Sequence, residues 1–186
     1  MEAENIKNIN YQVIYRNIKY PRIEFKTGRL VLVLPHGENP DKIIDKHKNW
    51  IEKKMEFIRE SLKNSNGKRI SSRTDKELRN IVYSLVKRIS DELDVRVNKI
   101  YFKRMKTKWA SCSPKKNLTV NVLLKYLPEN LIEYVIHHEM THLIEKRHNK
   151  RFWDIISRKF NNYEEMEKEL FTYWFLIHKL NDTTKF

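Results

Sequence analysis

Residues 135–153 read VIHHEMTHLIEKRHNKRFW and carry four of the chain's seven histidines. Between residues 132 and 143, apolar residues recur at helical spacing, which predicts a helix with one apolar stripe: Ile132, Val135, Ile136, Met140 and Leu143. On such a helix, His138 and His142 lie one turn apart and about 40° apart around the axis, so both imidazoles can grip one zinc ion. Glu139 follows between the histidine pair and the apolar stripe, where it can reach a water on the metal without being a ligand. This His-Glu-x-x-His arrangement is typical of metallohydrolases.

A catalytic zinc site takes three protein ligands and keeps a fourth position for water. His148 is the candidate third ligand, but in an unbroken helix it would be rotated by about 240° from His142 and face away. The sequence therefore predicts that the helix ends near Lys146 and turns back, with Asn149 as N-cap of a second helix. Glu145 stands where metzincins carry a glycine, which argues against a metzincin. A downstream carboxylate, as in gluzincins, is the alternative third ligand, and the candidates are Glu164, Glu165 and Glu167.

Two further residues, His137 and Cys112, carry side chains of types that can bind a metal. His137 is rotated about 100° from His138, away from the ligand face and from the apolar stripe, so we expect a bystander or a group that supports a ligand. Cys112 is the single cysteine of the chain, so no internal disulfide can form. A lone cysteine in a predicted strand is expected to pack against its neighbours.

The sequence before the motif divides at a linker-like stretch, residues 64–72, which reads NSNGKRISS. Residues 11–34 alternate as strands do, with Thr27-Gly28 as a hairpin turn, and residues 40–63 have the spacing of an amphipathic helix. We therefore predict an N-terminal β-rich lobe with one long helix at 1–70, packed on a core at 71–186. Within that core, a capping box at 74–77 begins a helix that reaches about residue 93.

Three short strands are predicted between that helix and the motif: residues 98–104, 107–112 and 118–122. Together these segments indicate an α+β protein with a small mixed β-sheet, helices that include the His-Glu-x-x-His helix, and an N-terminal β-hairpin and helix lobe.

Composition and charge constrain the class of protein. The chain has 186 residues, of which 40% are hydrophobic, enough for a core. No apolar run approaches membrane-spanning length and the start has no apolar leader region, so we expect no membrane partner and a cytoplasmic location. The net charge of +14 either serves an acidic partner such as DNA or reflects a lysine-rich solvated surface.

Three stretches together resemble the YgjP-like metallopeptidase domain, a family of predicted metal-dependent hydrolases related to the WLM and SprT-like zinc proteases. They read KTKWASCS (106–113), LTVNVLLKYLP (118–128) and IEYVIHHEMTHLIEKRHNKRFW (132–153). The resemblance extends to the first strands and to the helix at PHGENPDKIIDKHKNWIEKK (35–54). It implies a zincin-like core, Zn²⁺ bound by His138, His142 and His148, and Glu139 as the catalytic residue. Ala110 stands where the family pattern reads glycine.

The expected function is that of a zinc-dependent metallohydrolase, a peptidase that acts on polypeptides through a zinc-activated water. The extended substrate is expected beside an edge strand, supplied by residues 118–122 or by the adjoining Lys-Trp-Ala-Ser-Cys strand. The first alternative is a DNA-associated, SprT-like protease that cleaves DNA-bound proteins, which would use the basic charge. The second is a non-enzymatic, basic, zinc-containing module that binds nucleic acid. An intact Glu139 beside three ligands argues against this second alternative, because structural zinc sites normally fill all four positions with protein ligands.

Overall fold

The computed structural model describes residues 11–26, 29–63 and 68–183. Their backbone contacts divide the chain into two compact units, one formed by Gly67–Tyr173 and the other by the residues up to Asn66 together with those from Trp174 onward. The predicted turn at Thr27-Gly28 lies outside the described residues. Within the described ranges, no helix is both long and apolar enough to cross a membrane.

The unit that contains the N-terminal strands has a three-stranded sheet, one long helix and the helical residues from Trp174 onward. Its strands are β1 (Tyr11–Tyr15), β2 (Arg22–Lys26) and β3 (Arg29–Leu34), and the helix is α1 (Pro40–Lys63). β3 is central, parallel to β1 and antiparallel to β2. Alternate leucines of β3 pack with isoleucines of α1 in one core: Leu30, Leu32, Leu34, Ile43, Ile44 and Ile51.

The Gly67–Tyr173 unit contains the predicted motif. Its elements are α2 (Asp75–Leu93), β4 (Lys99–Lys103), β5 (Ala110–Cys112), β6 (Asn117–Asn121), α3 (Glu129–Thr141), α4 (Lys150–Lys159) and the start of α5 (Tyr163–Thr183), with a 3-10 helix at Val122–Tyr126. The predicted capping box at α2 is present, because Thr74 accepts from the backbone of Glu77 and the Glu77 carboxylate accepts from the backbone of Thr74. The α+β prediction, with small mixed sheets, is confirmed.

Strand order in this unit determines which backbone is open. β6 lies in the middle, parallel to β4 on one side and antiparallel to β5 on the other. Both sides of residues 117–121 are therefore paired, so the expectation that 118–122 could be an edge strand is wrong. β4 and β5 are the two edge strands, and β5 is the one that packs beside α3.

The predicted strand at 107–112 begins only at Ala110, because the preceding loop is held by a side chain instead of a strand ladder. The amide of the fully buried Asn121 donates to the carbonyl oxygens of Met105, at 2.9 Å, and Lys108, at 2.7 Å. This anchored loop leads directly into the edge strand.

Candidate metal centre

Helix α3 ends at Thr141, not near Lys146 as the sequence predicts. The Thr141 hydroxyl donates to the His137 carbonyl at 2.9 Å, and the next turn tightens to 3-10-type bonds, with Leu143 N donating to Met140 O at 2.9 Å. No residue of this reversal has a positive φ; among the described non-glycine residues only Asp94 and Lys116 do. The chain therefore turns back without the glycine that the metzincin pattern uses.

His148 returns to the motif through this reversal and the cap that follows it. The Asn149 side chain accepts from the backbone N–H of Phe152 at 3.1 Å and begins α4, as predicted. The Nε2 atoms of His138 and His148 lie 3.0 Å apart, and the rings of His142 and His148 are 4.7 Å apart. One ligand atom from each of the three histidines lies within 4.8 Å of the others.

A single aromatic ring holds the three imidazoles in place. Phe152 is fully buried, and its ring centroid lies 4.9, 4.8 and 4.6 Å from those of His138, His142 and His148. Trp153 stacks on the outer face of His148 at 5.6 Å. Because one buried ring packs against all three imidazoles, their positions relative to one another are constrained.

The outer nitrogens of two of these histidines face oxygen atoms. His142 Nδ1 lies 3.1 Å from the Glu145 carbonyl oxygen, a contact that favours the tautomer with Nδ1 protonated and leaves Nε2 free. His138 Nδ1 is buried and has no hydrogen-bond partner among the described residues, while Glu167 Oε1 lies 3.6 Å away. That same carboxylate oxygen accepts from the Tyr134 hydroxyl at 2.6 Å. Glu167 is thus oriented toward the outer edge of the His138 ring.

Desolvation and the neighbouring imidazoles lower the pKa of two of these histidines, His138 and His148. Desolvation, followed by the neighbouring His148 and His142, lowers the pKa of His138 to about 3. The pKa of His148 is also lowered, mainly by desolvation and then by His142. A neutral imidazole is the form that binds a cation, so a lowered pKa favours metal binding by His138 and His148.

Glu139 lies next to this cluster and contacts the edge strand. Its Oε2 accepts the backbone N–H of Cys112 at 3.0 Å. Desolvation raises the pKa of Glu139, and this outweighs the opposing effects of His142, the Cys112 N–H and Lys108. A carboxylate of raised pKa is better matched to taking up and giving back a proton near neutral pH.

The three histidines and Glu139 line one cavity of about 690 Å³. Its wall includes the whole of β5, and its floor includes the three histidines and Glu139. Glu167 also lines the cavity, whereas Glu164 and Glu165, the other predicted carboxylate candidates, are exposed and do not line it.

His137 does not lie where the sequence predicts. It is 1% exposed, packs edge-on against Phe160 at 5.3 Å, and places Nε2 3.6 Å from Glu92 Oε1. The prediction that it faces away from the apolar side of the helix is wrong, because α4 and the residues after it cover a wider part of α3 than the apolar stripe marks. It remains outside the metal cluster.

A buried His-Glu-x-x-His helix, a third histidine and a cavity beside an edge strand are the features of a metallopeptidase. The family model for the YgjP-like metallopeptidase domain matches residues 60–173, more than half of the chain. This chain therefore belongs to the YgjP-like metallopeptidase family, as its sequence motifs suggest. Membership makes it a metal-dependent hydrolase of polypeptides and favours an enzyme over the non-enzymatic alternative.

Two solved structures are similar to part of the chain. The metallopeptidase zymogen abylysin of Pyrococcus abyssi is 23% identical, with a TM-score of 0.46, over 49% of this chain and 92% of that one. The metallopeptidase zymogen jannalysin of Methanocaldococcus jannaschii is 32% identical, with a TM-score of 0.44, over 53% of this chain and 96% of that one. No curated protein sequence matches.

Proposed function

We propose that this metallopeptidase is a zinc enzyme in which His138, His142 and His148 hold the ion and Glu139 is the general base. The observation that carries the proposal is the convergence of three histidine nitrogens, within 4.8 Å of one another, in a cavity that also contains Glu139. Nitrogen ligands on one zinc ion lie about 3–4 Å apart, given bond lengths of about 2.0–2.1 Å. The separation of 3.0 Å between two Nε2 atoms fits such a donor set.

The chemistry divides between the ion and the protein. Zinc, when bound, supplies a Lewis acid for the scissile carbonyl and lowers the pKa of water to about 7. Glu139 takes a proton from the attacking water and then delivers it to the leaving amide nitrogen. Its hydrogen bond from the Cys112 N–H holds the carboxylate against β5, so the proton carrier and the strand beside the substrate are positioned together.

Strand β5 is the proposed docking strand for the substrate backbone. Ser113 N donates to Asn117 O and Asn121 N donates to Trp109 O, each within 2.9 Å, so the odd-numbered residues at this edge of the sheet pair with β6. In an antiparallel ladder the intervening residues direct their backbone groups the other way. Ala110 and the Cys112 carbonyl therefore face the open edge, where an extended peptide can add as a further strand.

The experiment that tests this function is Glu139→Gln in the zinc-loaded protein, assayed on an unfolded protein such as casein. The variant should keep stoichiometric zinc, because the histidines are untouched, yet lose hydrolysis by about 10²- to 10⁴-fold, because an amide cannot accept the proton. Zinc content is measured by elemental analysis and hydrolysis by release of peptides. Full activity in Glu139→Gln would refute the assignment of the base.

Association with DNA stays a separate prediction, motivated by the net charge of +14. Its test is whether DNA stimulates hydrolysis by the wild-type protein and whether binding falls steeply with salt.

A further inference from the structure

We propose that the active-site cavity selects polypeptide segments rich in acidic side chains, and that Lys108 and Lys116 are the residues that determine this preference. The inference rests on the proposed function, since it concerns the substrate of that site. It starts from a charge asymmetry in the chain. Residues 95–128 contain nine lysines and arginines and no aspartate or glutamate, and they form all three strands of the sheet beside the cavity.

Three lysines line the cavity itself: Lys108, Lys116 and Lys146. Lys108 and Lys116 are exposed, and no ion pair of either is present among residues 11–26, 29–63 and 68–183. The acidic residues of the cavity are already engaged, Glu139 with the Cys112 N–H and Glu167 with Tyr134. The rim is thus cationic and forms no ion pair within the described ranges, although the charge of Lys108 also acts on nearby Glu139. The negative charges of the cavity lie with the proposed catalytic groups.

The two lysines flank the docking strand. Lys108 lies two residues before β5, and Lys116 lies in the turn after it, between Cys112 and Asn117. Three extended residues such as Ala110–Cys112 cover about 10 Å, so a peptide added along β5 would have a lysine near each end. Carboxylates a few residues to either side of the scissile bond would therefore approach these ammonium groups.

Both lysines are held in place by their backbone. The Lys108 carbonyl accepts from the buried Asn121 amide at 2.7 Å. Lys116 has a positive φ of 57°, a conformation that glycine adopts more readily, in a turn closed by its N–H donating to Ser113 O at 2.9 Å. A glycine at 116 would suit the turn at least as well, which makes the charge at this position separable from folding.

Because these cations line the cavity that would hold a polypeptide backbone, the observations favour an acidic polypeptide over a nucleic acid. The substrates for the test are one unfolded protein, casein, with its lysines either acetylated or succinylated. The two forms share a sequence and differ in charge, since succinylation replaces each ammonium by a carboxylate. We would measure initial rates of hydrolysis of each casein by the zinc-loaded protein. Fluorescence anisotropy would give the affinity of each casein for Glu139→Gln.

The wild type should hydrolyse the succinylated casein at least about fivefold faster than the acetylated casein. Glu139→Gln should bind the succinylated form more tightly by the same factor, because two lysines contribute and one exposed ion pair is worth a factor of about 2 to 5. The preference should disappear at about 1 M salt, where charges are screened beyond about 3 Å. The double variant Lys108→Ala/Lys116→Gly should reduce it to less than about twofold. The control, Lys106→Ala/Lys115→Ala, removes the same charge from neighbouring exposed residues that do not line the cavity, and should keep it.

Equal rates and equal affinities for the two caseins would overturn the proposal, as would the same loss of preference in both double variants. Tight binding of a single-stranded oligonucleotide without discrimination between the caseins would overturn it in favour of a nucleic acid. Hydrolysis of neither casein by the zinc-loaded protein would refute the proposed function instead, and the binding measurement on Glu139→Gln would then decide the charge preference by itself.

Discussion

His148 is the residue that distinguishes two kinds of metal site, one with three histidines and one with a distant carboxylate. Its Nε2 atom faces that of His138, and Trp153 covers its ring. We expect His148→Ala to weaken zinc binding by more than about 100-fold, the upper range for loss of a group that merely supports a ligand. Competition with a chelator gives the dissociation constant. The exposed Glu165→Ala serves as the control, and the reverse order of effects would point to a gluzincin.

Glu167 is the residue that we expect to support His138. Its carboxylate lies 3.6 Å from Nδ1 of His138, which has no hydrogen-bond partner in the part of the chain that the structure describes, and Tyr134 orients it. Glu167→Gln keeps the shape but removes the charge, and should weaken zinc binding by about 10- to 100-fold. The matched variant Glu164→Gln, on the same helix and outside the cavity, should leave the affinity unchanged. An unchanged zinc affinity in Glu167→Gln would show that the carboxylate is a bystander.

At the scale of elements, the start of α4 couples folding to the metal site, because it follows His148 and carries Phe152. Asn149→Ala removes the cap bond and should lower the free energy of unfolding by about 1 kcal/mol and also weaken zinc binding. The control is Asn39→Ala, which removes the corresponding bond at α1, where Asn39 Oδ1 accepts from Asp41 N at 2.8 Å. It should lower stability similarly and leave zinc affinity alone. Urea unfolding of the metal-free proteins and zinc titrations measure the two effects.

Helix starts were more predictable than the helix end at the site. The capping box of α2 and the Asn149 cap of α4 depend on residues within one turn, and both are present as predicted. The sequence predicts an end of α3 several residues too late, because the apolar stripe continues through Leu143. That stripe favours a longer helix. The hydrogen bond of the Thr141 hydroxyl and the 3-10-type backbone bonds act against it and end the helix.

At the scale of the whole molecule, the lowered pKa of buried His138 makes the stability of the metal-free protein depend on pH. The pKa of His138 is lowered to about 3 in the folded state, against about 6.5 when unfolded. The stabilisation from neutral His138 is therefore present above about pH 6.5 and is lost as the pH falls toward 3, because only the unfolded state binds the proton over that window. The melting temperature of the metal-free protein should fall between pH 6.5 and 4. His138→Asn should make the melting temperature depend less steeply on pH. An unchanged pH dependence in that variant would contradict the lowered pKa of His138 as its cause.

The division of the chain at residue 70, into an N-terminal lobe and a core, stays a prediction of the sequence. So does the cytoplasmic location.

The sequence by itself determined the local parts of this metallopeptidase. The one-turn spacing of His138 and His142 and the cap at Asn149 depend on helix geometry over a few residues, so they can be inferred without a fold. Only the tertiary structure decided which of three downstream glutamates approaches His138, that β5 and not β6 is the open edge, and that the Cys112 N–H holds Glu139. The two contacts made by glutamates join residues 27 or more positions apart, and the strand order depends on pairing across the whole sheet. Both depend on how strands and helices pack, which no local periodicity encodes.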